Sequence, residues 1–194
     1  MKNVCVFCGS APGQNILYAE AARNLGQELV RRGCGLVYGG GRIGLMGEVS
    51  QSVIAAGGHV VGVIPQSLAS KEIAYEGATE LHIVDTMHQR KALMADRADA
   101  FLALPGGYGT FEELFEILTW AQLGIHRKPI GLLNVNGFYS PLLACLDHVM
   151  WEGLLKPKHR ELLLVSDSIA DLLDRMAAWT PPAPVEKWVS PEER

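Results

Sequence analysis

Apolar runs of four to seven residues alternate along this chain with longer amphipathic stretches. The runs fall at 4–7 (VCVF), 35–38 (GLVY), 59–64 (HVVGVI), 81–84 (LHIV), 100–104 (AFLAL), 129–135 (PIGLLNV) and 162–166 (LLLVS). Between them, apolar residues at helical spacing predict helices over 15–32, 44–56, 87–98, 110–124, 138–152 and 168–178, with a polar loop after the third run. Most runs are apolar at successive positions rather than at every second one, as in strands covered on both faces. The pattern predicts an α/β fold: a Rossmann-like, doubly wound parallel sheet flanked by helices, built as a single domain. Ligands bind such sheets beyond the carboxyl ends of the strands, near the point where strand order reverses.

A length of 194 residues, 48% of them hydrophobic, suits one well-cored domain over 1–180. The remainder, 181–194, is proline-rich and charged and reads as a tail. Seventeen basic against 21 acidic residues give a net charge of −4, which leaves no electrostatic footprint for nucleic acid or an anionic membrane. The first residues read as a strand rather than a secretion signal, and the longest uncharged run, 129–146, is broken by Asn134, Asn136, Gly137 and Pro141. The expectation is a cytoplasmic protein with no membrane span. Cys5, Cys8, Cys34 and Cys145 have neither zinc spacing nor a disulfide framework, and the first two belong to a strand, so a structural role is expected.

Three strand ends carry glycine: FCGSAPG, YGGGRIGLMG and LPGGYGTFEE. Three such turns in one sheet suggest a phosphate cradled by backbone N–H groups and helix N-termini. The GGGRIG segment also matches a dinucleotide fingerprint, but the next strand ends GVIPQS, without the acidic residue that would hold a ribose. In TFEE, Thr110 and Glu113 are spaced as a capping box, with Thr110 expected at the N-cap. The alternative is that one of Glu112 and Glu113 faces whatever the glycine loop holds, since they point about 100° apart around the axis. His88, Arg90 and Lys91 stand in the first turn of a helix, against its dipole, a conflict that a nearby anion would relieve. The helix over 110–124 has a wide apolar arc including Trp120, which suggests core on one side and a subunit interface on the other.

Taken in order, VFCGS, YGGGRIGLMG, VIPQSL, MHQRK and P-G-G-x-G-T-x-x-E (Pro105 to Glu113) resemble the Lonely Guy (LOG) family of cytokinin riboside 5′-monophosphate phosphoribohydrolases, once misnamed lysine decarboxylases. The resemblance covers about residues 3 to 155 and implies a homodimer that cleaves adenine-type nucleoside 5′-monophosphates to free base and ribose 5-phosphate, without metal or cofactor. It places the catalytic pair on Arg90 and Glu113. Substrate contacts fall on Gly9, Ser10, Gly40, Gly41, Gly44, Met46, Glu72, Lys91, Gly106, Gly107, Tyr108, Gly109, Thr110, Phe111, Glu112 and Thr119. Two rivals remain: a nucleotide or cofactor carrier of the same fold without chemistry, and a pyridoxal-phosphate decarboxylase, which would need a Schiff-base lysine and a longer chain.

Overall fold

The computed structural model describes residues 1–69 and 74–180. The strands are β1 Asn3–Phe7, β2 Gly35–Tyr38, β3 Val60–Pro65, β4 Glu80–Val84, β5 Ala100–Ala103, β6 Ile130–Leu133 and β7 Leu163–Ser166. All neighbours pair in parallel, in the order β4-β3-β2-β1-β5-β6-β7. The chain thus winds outward from β1 to β4, returns to the centre at β5 and winds outward again. The reversal lies between β1 and β5, and the expected doubly wound α/β sheet is present. The runs apolar at every position became the five inner strands; the edge strands β4 and β7 are half-exposed.

Alternation within a strand divides the core into two layers. Val4 and Val6 face α1 (Ile16–Arg31), α2 (Gly44–Ala55) and α8 (Ile169–Ala178). Cys5 and Phe7 face α4 (Met87–Arg97) and α5 (Tyr108–Gln122), and leucines of α6 (Ser140–Trp151) pack against the same layer. Two short helices, α3 (Gln66–Ala69) and α7 (Pro157–Arg160), complete the set, with a 3-10 turn at Val135–Gly137.

The helix starts follow local chemistry, with one departure from expectation. A capping box does form, but on α4, where the Thr86 hydroxyl accepts from Gln89 N and the Gln89 side chain accepts from the Thr86 amide. α5 begins three residues earlier than a Thr110 N-cap requires. Its N-cap is Gly107, no side chain caps it, and Thr110 is its third helical residue. The Thr110–Glu113 capping box is therefore not formed. Among the described residues no helix is long and apolar enough to cross a membrane.

Candidate active site

The carboxyl ends of β1, β2 and β5 meet at the sheet's reversal point, and backbone bonds tie their turns together. Gly9 N donates to Pro105 O at 3.0 Å, while Gly9 O accepts from Leu45 N at 3.0 Å and from Met46 N at 3.4 Å. The first amides of α2 are thus satisfied by the chain itself. Of the three glycine turns expected to share in a cradle, the one leading into α2 has its Leu45 and Met46 amides engaged by Gly9 O. Its glycines are packed: Gly40 (φ +79°) lies on β3, Gly44 (φ +60°) lies against the Ser10 backbone, and Gly41 bridges to Ala74.

Arg90 fills the space behind that turn. It is 7% exposed, and its guanidinium donates from Nε to Val63 O (3.1 Å), from Nη2 to Gly39 O (3.0 Å) and from Nη1 to Met87 Sδ (3.4 Å). A Cβ on Gly39 would overlap Nη2, so this position must be glycine for Arg90 to sit where it does. Carbonyls at the ends of two strands relieve much of the desolvation penalty of a buried cation. The remaining partner is Glu113, whose Oε1 lies 3.6 Å from Nη1.

Glu113 projects from the second turn of α5 and its side chain is 12% exposed. Glu112 points away from the pair and joins Glu116 in binding Lys91 Nζ. Only one of the adjacent glutamates faces the strand ends, as the helical geometry requires. The expected conflict between basic residues and the α4 dipole is resolved by the protein's own groups: carbonyls and Glu113 for Arg90, Glu112 and Glu116 for Lys91. His88 stays exposed. Burial would lower the Lys91 pKa, but its bonds to Glu112 and Glu116 outweigh that and raise it. Burial, reinforced by the charge of Glu113 and partly offset by Arg90, pushes the thiols of Cys5 and Cys8 upward, so both are neutral packing groups beneath the pair.

The turn after β5 differs from the turn after β2. Gly106 is packed, since a Cβ there would overlap the Thr110 hydroxyl and crowd Gly9 N. Gly107 and Gly109 have nothing within 4 Å of where a Cβ would stand, and neither has a positive φ. Tyr108 between them is 96% exposed. Among the described residues nothing packs against either glycine; Gly107 suits the N-cap position, while Gly109 has no packing neighbour that requires it.

The structure brings together Gly9, Gly40, Gly41, Gly44, Met46, Arg90, Glu113 and Gly106–Thr110 around the strand ends, with Ser10 exposed at the rim. Phe111 turns inward to meet the Tyr139 ring edge-on. Thr119 stands apart: its exposed hydroxyl donates to Phe115 O, and it lies about 9 Å further along α5 than Glu113. Lys91 faces α5. Glu72 lies outside the described residues. Sequence reasoning missed Gly39, Glu116 and the Val63 carbonyl. The first glycine of GGG was a signal for Gly39; a main-chain carbonyl leaves none.

A family model with the description "Possible lysine decarboxylase" matches residues 46–176. The chain is 53% identical over 181 residues to the probable cytokinin riboside 5′-monophosphate phosphoribohydrolase LOGL5 of Oryza sativa subsp. japonica, covering 93% of this chain and 74% of the relative. It is 52% identical over 180 residues to the cytokinin riboside 5′-monophosphate phosphoribohydrolase LOG1 of Arabidopsis thaliana, covering 93% and 84%. Among solved structures, the molybdenum cofactor carrier protein of Chlamydomonas reinhardtii superposes with a TM-score of 0.68 over 92% of this chain and 99% of that one, and at 18% identity this likeness concerns the fold alone. With strand order, glycine turns and these similarities in agreement, the chain belongs to the LOG family of phosphoribohydrolases, the family once described as lysine decarboxylases.

Proposed function

We propose that this protein hydrolyses the N-glycosidic bond of adenine-type nucleoside 5′-monophosphates, releasing free base and ribose 5-phosphate. The observation that carries this reading is the nearly buried pair of Arg90 and Glu113, 3.6 Å apart beside the uncapped start of α5. The activity named for the LOG relatives supports it. In the reaction a water oxygen bonds to the ribose C1′ as the C1′–N bond breaks. The electron pair leaves with the base, which takes up a proton as the water loses one. The ribose passes through an oxocarbenium-like state, whose positive charge the Glu113 carboxylate stabilises. Arg90 has the wrong sign for that task; it opposes negative charge on the departing base or holds the nucleotide. The 5′-phosphate sits at the α5 N-terminus, where Gly107 and Gly109 leave it room. Anchoring this remote group orients the ribose against Glu113, so it contributes to turnover as well as affinity.

The test compares kcat/KM for AMP, an N6-substituted AMP and adenosine, with free base as the readout. Both monophosphates should react and adenosine should not. Equal rates for AMP and adenosine would remove the phosphate from the argument. No base from any substrate would leave a carrier. Glu113→Gln should lower kcat about 10²- to 10³-fold with little change in fold.

A homodimer and a cytoplasmic address complete the reading. α6 has the sequence SPLLACLDHVMW, yet none of its residues is fully buried, and Trp151 at its end and Leu154 just beyond are each 81% exposed. Trp120, the residue that suggested an interface from sequence, packs partly on the core instead. A second copy covering α6 would bury this surface, and a sedimentation profile holding only the 21.1 kDa protomer at micromolar concentration would overturn it. Four free thiols suit a reducing compartment.

A further inference from the structure

Glu113 is one of three carboxylates in the first turns of α5, and the other two share a single cation. Lys91 Nζ binds Glu116 Oε1 at 2.9 Å and also Glu112. Glu113 and Glu116 are one turn apart on the same face of the helix. Between them and Lys91 lies a gap of about 10 Å³, walled by Phe7, Met94 and Phe101, with room for no more than a single water. The side chains concerned are mostly shielded: Lys91 is 10% exposed and Glu116 24%. Charges across such a gap act through little solvent and are felt more strongly than on a surface.

We propose that Glu116, acting through Lys91, is a positioning residue that sets the protonation of the Glu113 carboxylate. The proposal rests on Glu113 being the reacting carboxylate. Glu113 lies between two cations, Arg90 toward the strand ends and Lys91 across the gap. Arg90 is fixed by Gly39 O and Val63 O. The side of Glu113 that faces the gap therefore feels how far Lys91 is neutralised, and that is the work of Glu116 with Glu112. Cys5 of β1 and Cys8 just beyond its end also feel Glu113, and burial keeps both neutral.

The signs separate this role from simple attachment of α4 to α5. Glu116→Gln leaves Lys91 with less compensation, so its positive charge favours ionised Glu113 and lowers that residue's pKa. Lys91→Met leaves Glu116, one turn along the same face, near Glu113 with no cation across the gap and raises it. An attachment that only holds the helices together has no reason to move the two in opposite directions.

The experiment is an NMR titration of protein carrying 13C-labelled glutamate carboxyls, with the Glu113 signal assigned by its loss in Glu113→Gln. The Glu113 midpoint should fall by about one pH unit in Glu116→Gln and rise by about one in Lys91→Met, with the acid limb of the kcat profile following it. Glu116→Asp, which keeps the charge, should restore the wild-type midpoint. An unmoved midpoint, or shifts of the same sign, would overturn the proposal. If Lys91→Met does not fold, Glu116→Gln against Glu116→Asp decides alone. The titration needs no turnover, so a Glu113→Gln enzyme that still released base would sink the proposed reaction and leave this result standing.

Discussion

The turns after β2 and after β5 read alike as sequence, GGGRIG and GGYG, and differ as structure. In the first, the glycines answer to the protein: Gly39 to the Arg90 guanidinium, Gly40 to β3 and Gly44 to the Ser10 backbone. In the second, only Gly106 does, while Gly107 and Gly109 border open space. A glycine can be required by what the chain packs against it, or by what arrives from outside. The first kind belongs to stability and the second to binding, and the distinction shows only when a Cβ is placed at each position.

Substitution can break or sharpen that contrast. The largest effect is expected at Gly39. A methyl group there must displace Arg90, and Gly39→Ala should lower kcat/KM by about 10²-fold or more, the scale of a misplaced catalytic group, with a measurable fall in Tm. Gly44→Ala follows: a left-handed backbone and overlap with Ser10 should cost about 2–3 kcal/mol in chemical denaturation. Gly109→Ala, inside the helix and with open space at its Cβ, should leave stability nearly unchanged but raise KM for AMP several-fold. Equal loss of stability in Gly44→Ala and Gly109→Ala would erase the distinction. The smallest change is expected for Thr110→Ala. Thr110 is not an N-cap, so its removal should cost less than the ~1 kcal/mol of a lost cap.

The sheet was legible because strands covered on both faces need apolar residues at every position, and those runs stand out between amphipathic helices. Every strand predicted from such a run is present, to within two residues at either end. The start of α5 was misread because a hydroxyl and a carboxylate three apart mimic a capping box, while a glycine N-cap leaves no side-chain signal. Arg90 and Glu113 were legible as residues, but their arrangement was not. The guanidinium is held by carbonyls from two strands that lie 27 and 51 residues away in the chain. The partial exposure of α6 was hidden for a related reason: an apolar helix in an α/β chain reads as core, and only the packing reveals that Leu142, Leu143 and Leu146 meet the core while, among the described residues, none of the helix is fully buried.

A guanidinium has five N–H groups, and three of those on Arg90 are engaged by Val63 O, Gly39 O and Met87 Sδ. At most two remain, and the position of Glu113 beside Nη1 directs one of them. This arginine cannot swing to meet a ligand as a surface arginine does. It behaves more like a bound metal ion, a stationary charge with few open directions, and a ligand must bring its own matching atom to that point. Selectivity at this spot then follows from where a substrate carries its negative charge along its length, and from its overall size only weakly.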